Sequence, residues 1–539
     1  MVFNLADIYE LVADAVPERT ALVCGDRRLT YAQLDERANR LAHYLQAQGI
    51  GKGDHIGLYL HNGTEYMEAS LAAYKVRAVA ININYRYVEE ELAYLFDNAD
   101  LVALVHHREF TPRIAAVVPK APKLRTFVYV EDGSGADISL IETHEYEQAL
   151  AASARERGFP ARSADDLYIL YTGGTTGMPK GVMWRHEDVF FAAMMGANPY
   201  GPPPQTPEQV AQNARNKGLI TMLPAAPLMH GAAQWAAFIN LYSGGKTVLA
   251  PTKGLDPKLV WRLVEQEQVN TISIVGDAIA RPLAEALGGP DADYDTSSMR
   301  VIGSGGAIFS EAVKDQLREH LPQIAIMDNF GGSEGGHQGT SVPFRDPNAP
   351  PRFRANDSTA VLGEDLRPLP AGCGITGMLA RKDRIPLGYY KDAEKTARTF
   401  ITVDGVRWAS PGDMAVIEED GTISLLGRGS SSINSGGEKV FPEEVESALR
   451  SHPAVFDAVV VGVPDSRWGE RVTAVVHPRE GHNPTLEDLV AHCRTKIAGY
   501  KVPRRLHLVS EVQRQPSGKP DYRWARAVAT TARATEATA

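Results

Sequence analysis

The chain has 539 residues, too many for one ordinary core, so two or more domains are expected. Hydrophobic residues make up 44% and charged residues 23%, a balance that excludes a disordered or fibrous chain. A net charge of −10 argues against a nucleic-acid binder, and three scattered cysteines (Cys24, Cys373, Cys493) exclude a disulfide scaffold or a CxxC zinc site.

The opening segment, MVFNLADIYELVAD, is acidic where an export signal needs a basic start. No window approaches the ~18 uninterrupted apolar residues of a membrane span, so a cytoplasmic protein is expected. Thr30 can cap a helix whose apolar stripe is Leu34, Ala38, Leu41, Ala42 and Leu45, stopped by Gly49. A strand-like run at His55–Leu60, a helix at Thr64–Lys75 and a second run at Val79–Ile83 follow. Similar runs recur at Leu101–Val105, Leu167–Tyr171, Thr247–Ala250, Thr271–Val275 and Arg300–Ile302. This alternation predicts βαβ units and layered, largely parallel sheets covered by helices, an α/β fold. Two proline-rich stretches, Gly201–Pro207 and Pro343–Ala355, read as surface loops. Past residue 400 come short strands with glycine turns, Met414–Ile417 and Ile423–Leu426. Beyond Arg428 a helix (Glu443–Ser451), strands (Phe456–Gly462, Arg471–His477), a helix (Leu486–Ile497) and a strand (Leu506–Val509) predict a small α+β domain. The final segment, rich in Ala and Thr, reads as a frayed tail.

The strongest chemical signal is Tyr171-Thr-Gly-Gly-Thr-Thr-Gly-Met-Pro-Lys180-Gly181, directly after a strand. Gly173, Gly174 and Gly177 let consecutive N–H groups face an anion. Thr172, Thr175 and Thr176 add hydroxyls, and Lys180 adds a cation for polyphosphate. The spacing is not that of a Walker A loop. Gly303-Ser304-Gly305-Gly306 does not complete a dinucleotide fingerprint, because Ile308 stands where the third glycine belongs.

The segment Tyr171–Gly181 resembles the phosphate loop of the adenylate-forming superfamily of acyl-CoA synthetases, adenylation domains and luciferases. The superfamily's other motifs follow in order over about residues 10–525. Pro227-Leu-Met-His230-Gly231 resembles the segment whose histidine gates the acyl pocket. Gly303–Ala307 resembles the loop that packs on adenine, and Asn329-Phe330-Gly331-Gly-Ser333-Glu334 the segment whose glutamate holds magnesium. Trp408-Ala-Ser-Pro-Gly-Asp413 resembles the ribose-binding segment. Gly427-Arg428 and Ser435-Gly436-Gly437 resemble the hinge and the start of a mobile domain, and Gln515-Pro-Ser-Gly-Lys519 the loop of the catalytic lysine.

The resemblance implies a large N-terminal AMP-binding domain (1–427) with a small β-barrel-like part, a hinge (428–430), a mobile α+β domain (431–525) and a disordered tail (526–539). It implies catalytic roles for Lys519, His230 and Glu334, with Thr176 and Glu334 serving the metal. ATP contacts fall on Thr172–Gly177, Lys180, Gly305–Ala307, Asn329–Gly331, Ser333, Glu334, Asp413, Arg428 and Lys519. The acyl pocket falls on His230, Gly231, Gln234, Trp235, Ser304 and Gly305, the coenzyme A side on Ser435, Gly436 and Gly437, and the pivot on Ser430, which lacks the usual charge. Phe330 and Ser333 replace the usual tyrosine and threonine.

The implied reaction is an ATP- and Mg²⁺-dependent acyl-CoA synthesis through acyl-AMP. The partners are a small-molecule acid, ATP and coenzyme A, with no nucleic acid, and a homodimer is left open. The wording of Tyr171–Glu187, Gly427–Glu446 and Gly499–Trp524 looks most like actinobacterial acyl-CoA synthetases, which points to steroid side-chain carboxylates or medium- and long-chain fatty acids. Ala232, Ala233, Ala236 and Ala237 beside Trp235 would leave room for such an acid.

Two other readings stand beside this one. An adenylation enzyme for an aryl acid, or one loading a carrier protein, shares the motifs. Gly331-Gly-Ser333-Glu-Gly335 also satisfies the GxSxG elbow of serine hydrolases. Taken alone, Lys519 reads as a surface lysine, Asp413 as a turn residue, Glu334 as a solvated acid and His230 as a structural histidine.

Overall fold

A computed structural model describes the chain except residues 175–176, 217–219, 291, 308, 342–351, 429–432, 436–437, 466–468, 498, 515–518, 531–534 and 537–539, and the side chains of 173, 174, 177, 428, 434, 438, 439, 469, 535 and 536. Three sheets organise the described residues. The first runs Gly388–Tyr389, Gly177–Arg185, Leu167–Gly174, Val79–Asn82, His55–Tyr59, Leu101–His107, Thr126–Val130 and His144–Glu145, parallel from Leu167 onward.

The second sheet is parallel across Thr20–Cys24, Lys246–Leu249, Thr221–Pro224, Thr271–Ile274, Val301–Gly305 and Ala325–Gly332. It then turns antiparallel through Gly336–Ser341, Arg352–Ala355, Ile423–Arg428, Asp413–Ile417 and Thr376–Arg381. The expected α/β architecture is therefore present, and the antiparallel strands, where the resemblance implied a small β-barrel-like part, continue the second sheet. The βαβ periodicity made it legible, because strands covered on both faces must be apolar on both.

Helix Tyr31–Ala47 begins as read: Thr30 and Gln33 form a reciprocal cap, and Leu34, Ala38, Leu41, Ala42 and Leu45 are fully buried. Helix Gly231–Tyr242 lies between the two sheets. Ala237, Phe238 and Leu241 pack with Leu170, Val182 and Trp184 of the first, while Ala233 packs with Ala226 and Val275 beside the second.

In the C-terminal part, strand Val455–Asp465 pairs with Gly469–Pro478 over almost its whole length. Alternate residues face opposite ways. Ala458 and Val460 meet Val445, Leu449 and Leu489, while Val459 and Val461 meet Ala525 and Ala529. Helices thus cover both faces, which explains the unbroken apolar run.

Three boundaries differ from the sequence reading. The second proline-rich stretch ends in strand Arg352–Ala355, not in loop. The helix read as reaching Ile497 ends at Arg494. The tail does not begin at 526: helix Tyr522–Ala529 buries Ala525 and Ala529, and strand Thr535–Glu536 pairs with Arg505–Leu508. Its small alanines looked featureless in sequence because they serve close helix–sheet packing.

Candidate active site

The carboxyl ends of the parallel strands open on a cleft of about 2300 Å³. Such ends are where open α/β sheets hold ligands. Its lining brings together Thr172, Lys180, His230, Gly231, Trp235, Ser304–Ala307, Asn329–Gly331, Ser333, Glu334, Asp413 and Lys519. The phosphate-loop lysine and the lysine from the far end of the chain therefore face one cavity.

Strands Leu167–Gly174 and Gly177–Arg185 are antiparallel and set Thr172 opposite Lys180 and Gly174 opposite Gly177. Thr175 and Thr176 lie outside the described residues. The Lys180 ammonium lies 3.1 Å from Glu334 Oε1. It also donates to the Tyr389 hydroxyl at 3.1 Å and sits 4.3 Å from that ring's centre. Tyr389 in turn donates to Glu334 Oε1 at 2.8 Å. Sequence reasoning missed Tyr389. The signal available was an aromatic Gly-Tyr-Tyr run at 388–390, but only the pairing of Gly388–Tyr389 with Val182 and Met183 places it here.

Glu334 is buried at the turn of the hairpin formed by Ala325–Gly332 and Gly336–Ser341. Three contacts fix that turn. Trp184 Nε1 donates to Ser333 O at 3.0 Å, and the buried Arg381 guanidinium donates to Gly335 O at 2.7 Å and His337 O at 2.6 Å. Burial pushes the Arg381 pKa down to about 10. Gly336 has φ +62°, and a Cβ there would meet Ala192 O at 2.6 Å, so only glycine fits. Because Gly331 and Gly332 end one strand and Ser333–Gly335 form the turn to an antiparallel partner, the strand-to-helix geometry of a nucleophile elbow is absent. The hydrolase reading is thereby corrected.

Asn329 stands opposite Gly305 on the neighbouring strand. Its Oδ1 accepts from Thr340 Oγ1 at 2.8 Å, and Phe330 packs edge-on against Phe353. Asp413 opens its strand directly across from Arg428, whose side chain is outside the described residues. His230 stands just before helix Gly231–Tyr242, its carbonyl capturing Gln234 N.

Gln234 is not in the cavity lining and corrects the expectation. It is buried, takes the Tyr168 hydroxyl on Oε1 and donates to Tyr66 OH at 2.9 Å. Trp235 donates to the same Tyr168 hydroxyl at 3.0 Å and lines the cleft. Of the four alanines, Ala232 and Ala236 face the cleft, whereas Ala233 and Ala237 pack elsewhere. A helix offers a ligand one face, and the residue just past His230 on the other face serves the core.

Ser435 is buried away from the cleft in the hairpin Ile433–Ser435 with Glu438–Val440. Gly436, Gly437 and Ser430 fall outside the described residues. The C-terminal part touches the larger part where Arg281 stacks 5.0 Å from the Phe456 ring.

The donor set suits a Mg²⁺–polyphosphate: a buried carboxylate for the hard cation, with an ammonium beside it for phosphate oxygens. In the described geometry these opposite charges pair directly, with the Tyr389 hydroxyl bonded to both.

The AMP-binding enzyme family matches residues 9–390, and the AMP-binding enzyme C-terminal domain matches 444–519. A 3-oxocholest-4-en-26-oate–CoA ligase of Rhodococcus rhodochrous is 51% identical, covering 98% of this chain and 96% of its own. A medium/long-chain-fatty-acid–CoA/3-oxocholest-4-en-26-oate–CoA ligase of Mycobacterium marinum is 50% identical over 97% and 96%. Among solved structures, the anthranilate CoA ligase AuaEII with anthranoyl-AMP superposes with TM-score 0.82 at 23% identity, covering 98% and 97%. ATP-bound MatB from Rhodopseudomonas palustris gives 0.81 at 24%, covering 97% and 98%. At such identities these two likenesses concern the fold.

Proposed function

Since this chain belongs to the AMP-binding enzyme family, we infer that it is an AMP-forming acyl-CoA ligase acting on bulky apolar acids, either steroid side-chain carboxylates or medium- to long-chain fatty acids. It consumes ATP, a carboxylic acid and coenzyme A, and requires Mg²⁺. The carrying observation is the convergence of Lys180, Glu334, His230, Asp413 and Lys519 on one cleft.

A carboxylate approaching a triphosphate meets like charge, so the residues must supply cations and alignment. Lys180 neutralises the leaving pyrophosphate, and Lys519 stands between the acid's carboxylate and the α-phosphate. Glu334 would hold Mg²⁺, which when bound offsets triphosphate charge. Asp413 accepts the ribose hydroxyls, a bidentate task suited to an ionised carboxylate. Gly305, Gly306 and Ala307 pack on adenine. His230 gates the acid, whose apolar part extends past Trp235, Ala236, Ile239 and Met222. Once acyl-AMP forms, residues 431–525 turn about 428–430, withdraw Lys519 and admit the thiol on the side of Ser435–Gly437. The unpaired thiols of Cys24, Cys373 and Cys493 support a cytoplasmic setting.

The test is a panel of acids assayed for AMP release with and without coenzyme A. Release that requires both a long or ring-bearing acid and coenzyme A is expected. Full turnover without coenzyme A would shift the reading to carrier loading or aryl adenylation.

A further inference from the structure

Asn82 ends strand Val79–Asn82 in the first sheet and is buried at the edge of the cleft. Its Oδ1 accepts from Tyr171 N at 2.8 Å. Its Nδ2 donates to Tyr171 O at 2.8 Å and to Met229 O at 2.7 Å. Tyr171 is the last residue before Thr172 and the phosphate loop, and Met229 is the last before His230. One planar amide thus holds, through its two N–H groups, the backbone entering each half of the site.

The neighbouring strand contributes a second, one-sided clamp. Asn62, just beyond His55–Tyr59, accepts from Leu228 N at 2.8 Å and donates to Ala226 O at 3.4 Å. It touches the segment leading to His230 but not the phosphate loop. Gly231 completes the contact from the other side. A Cβ there would come within 2.6 Å of Leu170 Cδ2, so the two segments lie in direct contact.

We propose that Asn82 is a positioning residue that couples the nucleotide and acid subsites, so that a ligand ordering either segment raises affinity for the other. This rests on the assignment of Thr172–Lys180 to the triphosphate and of His230 to the acid. The physical ground is geometric. The amide's donors diverge by a fixed angle, so movement of Tyr171 away from its bound position bends or breaks the bond to Met229, and the reverse. Ordering by one ligand is then an ordering the second need not supply, and such coupling is reciprocal.

The experiment is calorimetric titration of the full-length protein with dodecanoate, without nucleotide and with saturating Mg²⁺–α,β-methylene-ATP, which cannot release pyrophosphate. The native protein should bind dodecanoate about fivefold or more tightly when nucleotide is present. Asn82→Leu, nearly isosteric, should bring that ratio to about one. Asn62→Ala should weaken dodecanoate binding in both states and keep the ratio. If Asn82→Leu does not fold, Asn82→Asp, of the same shape, keeps the acceptor for Tyr171 N but loses both donors and should likewise bring the ratio to about one. A native ratio of one, or a native-like ratio in the Asn82 variants, overturns the coupling. A native protein that binds no nucleotide overturns the functional reading, and the coupling with it.

Discussion

The Lys180 ammonium, the Tyr389 hydroxyl and the Glu334 carboxylate form a closed triangle within 3.1 Å, although Tyr389 lies far along the chain from both. Removing the hydroxyl leaves both charges without a shared neutral partner. A hydrogen bond to a charged group contributes about 1.5–3 kcal/mol, so Tyr389→Phe should raise KM for Mg²⁺–ATP by about tenfold or more. Steady-state kinetics at varied nucleotide concentration checks this, and an unchanged KM would show the hydroxyl to be dispensable. Lys519→Ala should slow adenylation by about 10²-fold or more, as expected for loss of a transition-state cation. Thioester formation from supplied acyl-AMP should survive far better. Equal losses in the two half-reactions would remove the basis for a two-conformation cycle. Lys180 was legible from its own glycine- and threonine-rich loop, whose composition suits an anion, whereas Glu334, Asp413 and Lys519 were legible only through the ordered resemblance of their motifs, since each reads alone as an ordinary surface or turn residue. Tyr389 and Arg381 were not, because a tyrosine in a strand and an arginine after one become site residues only through partners far away in sequence.

Helix Gly231–Tyr242 shows how one element serves two masters. Its cleft face carries Ala232, Trp235, Ala236 and Ile239, while Ala233, Gln234 and Ala237 are committed to the interior. The sequence could show small residues after His230 but not assign them to faces, since helical phase against two sheets depends on where both sheets lie. Exchanging Ala236 for Phe inserts a ring into the cleft face. Activity on dodecanoate and longer or ring-bearing acids should fall selectively, by about tenfold or more if overpacking costs 1–3 kcal/mol, while short acids are spared. Measured kcat/KM falling equally for all acids would mean the acid does not pass this face. The hairpin bearing Glu334 makes a similar point. Its GxSxG spelling suits a hydrolase elbow, and only its pairing as two antiparallel strands decides otherwise.

Across the whole molecule, burial holds several histidines neutral. His106, His107, His186 and His337 are each pushed down to about 4, chiefly by desolvation. In the unfolded chain they take up protons near pH 6.5, so between pH 6.5 and 4 unfolding binds protons and stability falls with pH. Asp328 acts in the opposite sense. Burial raises it to about 6 despite Lys314 at 3.3 Å, so its folded form keeps a proton that the unfolded chain has released above about pH 4. These five groups together predict about three protons taken up on unfolding near pH 5, a loss of about 4 kcal/mol per pH unit. Urea midpoints at pH 7, 6 and 5 test this, with His337→Gln expected to flatten the slope by about one proton. A stability that stays level from pH 7 to 5 would show those histidines to be titrating normally. By itself, the sequence determined the α/β class, the order of the motifs and the chemistry they require, since apolar periodicity and glycine–threonine–lysine spacing are local properties of the chain. Only the tertiary structure decided which side chains of one helix face the cleft, that Tyr389 and Arg381 brace the glutamate, and that Asn82 joins two loops. Those are contacts between segments distant in sequence, and no local pattern encodes a partner that packing alone brings near.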